Sequence, residues 1–347
     1  MTATSSIGVL FLTLLCAWGA STRPTPSPSD TPIDRRAFDA SSNGHWLGAG
    51  ICYGPHRDGQ SPGVNDPSES EILEDLRIMS RHWPMIRVYA SQGSAGIICR
   101  LVRAEKLPLR VMVGAWIAPE YRETDGKREE LPDAVANNAA EIAEAIRLAN
   151  EFPDVVLALG VGNETQVTWS SHRSSRDRLV AAIKEVRQAT KQPVTTCDDF
   201  AFWTSDESAP VAAECDFIAA HLYAMWNKQQ LPDALDWTRD RLAEIEKRYP
   251  GIPVVVTEIG WATKRGTEGY QAIGIVGTPG EGEQELFYRA LRDWATQRRL
   301  PYFYFEAFDE KWKGGSSPDE VEKHWGVFNS DRSPKRVIRG EPATEGK

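Results

Sequence analysis

The chain has 347 residues, and its 40 Lys and Arg stand against 49 Asp and Glu, a net charge of −9. That balance leaves no basic surface for nucleic acid or acidic phospholipid. The 12 Trp, 9 Tyr and 11 Phe suit a neutral substrate better than a polyanion, although most such rings belong to a core.

In chain order, the first feature is one apolar segment, residues 7–20, followed by Ser21-Thr22-Arg23. It is too short to span a bilayer comfortably and ends in small residues, so residues 1–21 read as a secretory signal. No Lys or Arg precedes it, and Trp18 interrupts a small-x-small cleavage site. An uncleaved membrane anchor is therefore the alternative. Either way the expected location is outside the cytoplasm: secreted, periplasmic or in the cell envelope. Pro24, Pro26, Pro28 and Pro32, mixed with Ser and Thr, make residues 22–44 an extended tether. Cys52, Cys99, Cys197 and Cys215 have no metal-site spacing. Most lie in or beside apolar runs, which favours buried thiols over a disulfide frame.

From about residue 45, strand-like and helix-like stretches alternate without a break. Strands are expected at 46–53, 85–89, 109–116, 155–161, 194–197, 217–222, 253–258 and 302–308. Helices are expected at 70–82, 95–106, 133–151, 176–190, 232–249 and 283–299, with a poorly marked one near 209–214. Eight short, apolar strands alternating with helices predict a single α/β domain, a (β/α)₈ TIM barrel over residues 45–335 with a polar tail at 336–347. Gly48, Gly50 and Gly54 miss the dinucleotide fingerprint, which argues against an open Rossmann sheet.

A barrel of this kind works at the C-terminal ends of its strands. Those ends collect Tyr53, Arg87, Tyr89, Trp116, Asn163, Glu164, Asp198, Asp199, His221, Tyr223, Glu258, Glu306 and Asp309. Two glutamates continue straight from a buried strand: Glu164, on the fourth, and Glu258, on the seventh. Strands four and seven face each other across the mouth, so these carboxylates can converge. Two carboxyls around a glycosidic bond are what acetal hydrolysis requires, one donating a proton and the other attacking or stabilising the anomeric carbon. Gly59-Gln-Ser-Pro-Gly63 matches a nucleophile elbow, but Pro62 lacks the N–H that the oxyanion hole needs. Asn163-Glu-Thr165 matches a glycosylation acceptor in an unsuitable place, a strand end. No H-E-x-x-H or H-x-H is present, so no metal and no cofactor are expected.

Five motifs then resemble family-seventeen glycoside hydrolases, the β-1,3-glucanase family. They are Gly50-Ile-Cys-Tyr-Gly-Pro-His-Arg-Asp-Gly-Gln-Ser-Pro-Gly63, Gly162-Asn-Glu164, Thr257-Glu-Ile-Gly-Trp261, Phe305-Glu-Ala-Phe-Asp-Glu-Lys-Trp-Lys313 and His324-Trp-Gly-Val-Phe-Asn329 with Ser333-Pro-Lys335. They run in order from Trp46 to Lys335, and the first and fourth look most like the bacterial branch. The resemblance implies a retaining mechanism, with Glu164 as acid/base and Glu258 as nucleophile. It also implies Asn163 on the sugar 2-hydroxyl, and Glu310, Lys313 and Glu322 along the substrate cleft. Thr257 and Trp261 border the nucleophile, and Tyr223 is placed to hydrogen-bond it.

Trp203, Trp226 and Trp312 follow strands where rings can stack on sugars, although loop packing is the commoner explanation of each taken singly. Arg87 reads either as a sugar ligand or as an ion-pair partner of a strand-end carboxylate. Tyr53 and Tyr89 point to the same cleft. The expected partner is a β-glucan polysaccharide or oligosaccharide, with no nucleic acid and no lipid cofactor, acted on by a monomer. The first expected activity is hydrolysis of β-1,3-glucan. A transglycosylase using the same glutamates is the alternative, and an idle polysaccharide-binding barrel a third.

Overall fold

The computed structural model describes residues 33–42 and 45–339. The signal segment, nearly all of the tether and most of the polar tail lie outside the described residues. Eight parallel strands close into one barrel: β1 (Ala49–Cys52), β2 (Met85–Val88), β3 (Arg110–Ala115), β4 (Val156–Asn163), β5 (Val194–Asp199), β6 (Ile218–His221), β7 (Val254–Ile259) and β8 (Tyr302–Tyr304). β8 pairs with β1 and each of the others with the next in sequence, which is the expected TIM-barrel order. Their residues are almost all buried, because the barrel interior covers one face and the surrounding helices the other.

Helix α1 (Glu69–Met79) opens on Ser68, whose hydroxyl accepts from the Glu71 N–H while the Glu71 carboxylate accepts from the Ser68 N–H. Helix α2 (Ser94–Ala104) and helix α3 (Pro132–Glu151) follow β2 and β3. α3 starts on Pro132 and buries Ile142, Ala145, Leu148 and Ala149 along one stripe. Each large aliphatic side chain so buried contributes about 1.5–3 kcal/mol. Helix α4 (Arg176–Ala189) and the helices Leu231–Arg248 and Glu281–Arg298 complete the long members of the outer ring.

Four features differ from the sequence reading. The weakly marked fifth helix is present only as Ala209–Ala212, and two further short helical segments that the pattern did not announce, Phe200–Trp203 and Asp206–Ser208, precede it. β8 ends at Tyr304 instead of running to 308, where the cis Phe305–Glu306 peptide follows. Residues 121–130 form an exposed charged hairpin that their polar pattern did not announce. A short helix, Gly269–Gly274, lies in the glycine-rich stretch after β7. Cys52, Cys99, Cys197 and Cys215 are buried free thiols. Among the described residues no helix is long and apolar enough to cross a membrane.

Candidate active site

Three strands lose regular register within their last turn, and each loss aims a polar side chain into the mouth. The β4–β5 pairing shifts between Gly160 and Asn163, β6–β7 between Ala220 and His221, and β7–β8 between Val256 and Ile259. On β4 the backbone is left-handed at Gly162, with φ 80°, and again at Glu164, with φ 49°. Glycine takes that conformation freely, whereas a glutamate there carries a strain that persists only when its surroundings impose it. The Glu164 N–H donates to the Cys197 carbonyl at 2.8 Å and pins the residue.

Glu258, at the end of β7, is 5% exposed and fully engaged. Its Oε1 accepts from Arg87 Nη1 at 2.6 Å, and its Oε2 accepts from the Tyr223 hydroxyl at 2.6 Å. Burial alone raises the pKa of such a carboxyl. The charges of His221 and Arg87 and the Tyr223 hydrogen bond overturn that penalty and hold Glu258 below the usual carboxylate range. Arg87 also donates from Nη2 to Asn163 Oδ1 at 2.5 Å, so one buried guanidinium orients both the carboxylate and the amide. Among the described residues no hydrogen bond engages the Asn163 amide nitrogen, and Asn163 lines the cleft.

His221 lies between the two glutamates. Its Nδ1 donates to Glu164 Oε1 at 3.0 Å, and its Nε2 stands 3.3 Å from Glu258 Oε1, too oblique for a hydrogen bond. Burial disfavours the imidazolium, but Glu258 and Glu164 outweigh it and push its pKa up to about 10. One oxygen from each glutamate and one nitrogen of His221 lie within 4.8 Å of one another. Glu164 is the more open carboxylate, with 27% of its side chain exposed.

A second charged cluster leaves β8. Lys313, over the Phe305 ring, pairs with both Glu306 and Glu310, and Glu310 also accepts from the Trp312 indole at 2.9 Å. Gly54 leaves room for it, since a Cβ there would stand 2.4 Å from the Glu310 carboxylate oxygens. α3 steadies the opposite wall. The Glu141 carboxylate accepts from the N–H groups of Ser91, Gln92 and Trp116, and Asn138 bonds both the N–H and the carbonyl of Ala118.

Many of these groups, Glu164, Glu258, Asn163, Tyr223, Glu310 and Lys313 among them, line one cleft of about 1360 Å³. Of the expected site residues, Tyr53, Tyr89, Asn163, Glu164, Tyr223, Trp226, Glu258, Glu310, Trp312, Lys313 and Glu322 all reach it. Tyr53 does so with its hydroxyl turned away, donating to Asp75. Two expectations need correction. Trp203 is fully buried and donates its indole N–H to the Ala219 carbonyl, so it packs under β6 and offers no face to a sugar. Trp261 is equally buried, bonded to the Thr278 carbonyl and packed on Phe287. Of the two readings open for Arg87, the ion pair with a strand-end carboxylate is the one found, and Arg87 does not line the cleft. Its charge is consumed by Glu258.

The sequence reading gave no role to His221, Asp199, Trp169 or Tyr270. His221 and Tyr223 stand two apart at one strand end, a spacing that puts both on one face and was the available signal. Trp169 sits in a loop and Tyr270 in the six-residue helix Gly269–Gly274, too short to give a periodic signal.

A parallel eight-stranded barrel with two opposed glutamates at its mouth, one held ionised, defines a glycoside hydrolase. Residues 50–326 match the BtgE/BtgC glycoside hydrolase domain, and the chain belongs to that family. It is 28% identical over 305 residues to a glucan 1,3-beta-glucosidase of Arthroderma benhamiae, covering 80% of this chain and 88% of the relative. A second glucan 1,3-beta-glucosidase, from Schizosaccharomyces pombe, is 27% identical, with 85% and 87% covered. An endo-laminarinase from Formosa superposes with a TM-score of 0.71 at 26% identity, over 84% of this chain and 86% of that one. The Rhizomucor miehei β-1,3-glucanosyltransferase shares the fold, with a TM-score of 0.66 at 23% identity over 83% and 95%.

Proposed function

We propose that the enzyme hydrolyses β-1,3-glucan with retention of configuration, with Glu258 as nucleophile and Glu164 as acid/base. The observation that carries this reading is the short gap between the two carboxylates, within 4.8 Å. Inversion needs roughly 6.5–9.5 Å to seat a water between them, whereas retention needs only about 5 Å. The relatives named for 1,3-β-glucosidase and laminarinase activity supply the substrate class.

In the first step Glu258 attacks the anomeric carbon while Glu164 gives its proton to the departing glycosidic oxygen. A glycosyl ester on Glu258 results. Glu164, now ionised, then takes a proton from water, whose oxygen displaces Glu258 and restores both groups. Arg87 and Tyr223 keep Glu258 ionised before attack, and the free amide of Asn163 is placed to bind the sugar 2-hydroxyl. The glycine variant Glu258→Gly is expected to lose ~10⁴-fold or more in kcat and to regain part with azide, yielding a glycosyl azide. Turnover at the wild-type rate in that variant refutes the nucleophile role. Glu164→Ala is expected to spare aryl glycosides with good leaving groups and to lose the natural polymer. Equal loss on both rejects the acid role.

A second reading, transfer to a sugar acceptor, is favoured by the stacked Trp226–Tyr270 pair on the rim, with centroids 5.8 Å apart and planes at 25°. Products longer than the donor, sized over time at high donor concentration, identify transfer; their absence leaves hydrolysis. We also propose that the protein acts outside the cytoplasm as a monomer. N-terminal sequencing of the exported protein and light scattering on the purified chain check those two points.

A further inference from the structure

Among the carboxyl groups that line the cleft and that the mechanism above does not use is Asp199. Asp199 ends β5 and sits opposite His221 in the β5–β6 ladder, two residues beyond Cys197, whose carbonyl holds the Glu164 N–H. It is 6% exposed. Its Oδ1 accepts from the Ala201 N–H and caps the turn Phe200–Trp203. Among the described residues no hydrogen bond reaches its Oδ2, and the residue lines the cleft. An acceptor on a cleft wall that no neighbour engages is open to a hydroxyl of a bound ligand.

Position decides which part of a ligand Asp199 meets. Around the mouth, Glu164 rises from β4, Asp199 from β5, and Trp226 with Asn227 from the loop after β6, all lining the cleft. Lys313 and Glu310 rise beyond β8, on the other side of Glu258. A sugar leaving on protonation departs past Glu164, into the space bounded by Asp199 and Trp226. A carboxylate oxygen there accepts from ring hydroxyls, while the Trp226 face covers the apolar side of the ring.

We propose that Asp199 is the polar ligand of the leaving-group sugar, and of an incoming sugar acceptor, and so a specificity residue of this enzyme. The proposal rests on the retaining reading. In transfer, the acceptor hydroxyl oxygen bonds to the anomeric carbon and breaks the ester to Glu258, and its proton goes to Glu164. Asp199 stays unchanged and holds a neighbouring hydroxyl of that acceptor.

The test compares wild type with Asp199→Asn, which keeps the capping oxygen for Ala201 and turns the free acceptor into a donor. Two substrates are used: β-linked gluco-oligosaccharides of several linkages, and an aryl β-glycoside whose leaving group carries no sugar hydroxyls. The expected result is a fall of about tenfold or more in kcat/KM on the oligosaccharide, with the aryl glycoside within about twofold of wild type. Loss on both substrates alike, or on neither, overturns the assignment.

A second readout does not respond to a merely structural role. After Glu258 is trapped with a fluoroglycoside, reactivation by a disaccharide acceptor is expected to slow in the variant, while reactivation by azide is unchanged. Equal slowing of both refutes the acceptor role. Cleavage of a linkage other than β-1,3 by wild type would sink the substrate reading alone, since the Asp199 comparison is then made on the oligosaccharide that is cut. Wild type that cuts no member of either class removes both.

Discussion

The floor of the cleft and its rim are built on opposite terms. On the floor, Arg87, Asn163, His221, Tyr223 and Glu258 are tied by hydrogen bonds of 2.5–2.6 Å and a close imidazole contact, and all but Asn163 are nearly or fully buried. On the rim, Trp169 is 63% exposed, Tyr270 75% and Trp312 40%, on loops and, for Tyr270, on the short helix Gly269–Gly274. A buried charge is tolerated only where its geometry is satisfied, so the floor has one arrangement and that arrangement fixes the chemistry. Exposed rings carry little such constraint. They can vary with the length and shape of the polymer while the reaction below stays the same.

The sharpest attempt to break this contrast is Arg87→Met. It leaves Glu258 buried beside a methylene chain and frees Asn163 Oδ1, so Glu258 loses one of the charges that hold it ionised. A fall of ~10²–10³-fold in kcat is expected, with the alkaline-shifted limb of a pH–rate profile reporting a raised nucleophile pKa. An unchanged pH profile would place the Arg87 effect in packing instead.

His221→Asn comes next, at ~10²-fold in kcat, and it also carries a stability signature. The imidazolium of His221 is raised to about 10 from an ordinary 6.5, so its contribution is complete below about pH 6.5 and is lost as pH rises through 10. Glu258 is depressed, so its contribution is present above the ordinary carboxyl range and is lost as pH falls. Together they place the stability maximum in mildly acidic solution. In the Asn variant, thermal melts between pH 7 and 10 should flatten. A wild-type slope retained in the variant assigns the titration to another group.

The same division explains what was legible in the sequence. Buried strands write themselves as apolar runs, so all eight could be counted, and Glu164 and Glu258 stood out as carboxylates at the ends of such runs. The role of Arg87 needed coordinates, because an arginine at a strand end looks the same whether it meets a sugar or Glu258. Trp203 and Trp261 misled for a related reason. An indole reads alike whether its N–H reaches a substrate or the Ala219 or Thr278 carbonyl, as it does here. Trp169 and the hairpin at 121–130 left no trace, since loop geometry follows no period, and the helix that carries Tyr270, Gly269–Gly274, is too short to show one. Where burial enforces the structure, the pattern shows it.

The smallest expected effect lies on the rim, with Tyr270→Ala. Tyr270 stacks on Trp226, and an aromatic pair of this kind is worth about 0.5–1.5 kcal/mol, or roughly two- to tenfold in affinity. The variant loses the outer ring and leaves Trp226 in the cleft wall without its brace. KM for long glucan chains should therefore rise about three- to fivefold, while kcat and turnover of a short aryl glycoside stay at the wild-type value. Trp203→Phe is the matched control beneath the floor. It removes one buried hydrogen bond, costs about 1 kcal/mol of stability, and should leave KM unchanged. A Tyr270 variant whose kcat falls on the aryl glycoside would mean that the rim reaches the reacting atoms, and the division between a fixed floor and a variable rim would then fail at Trp226.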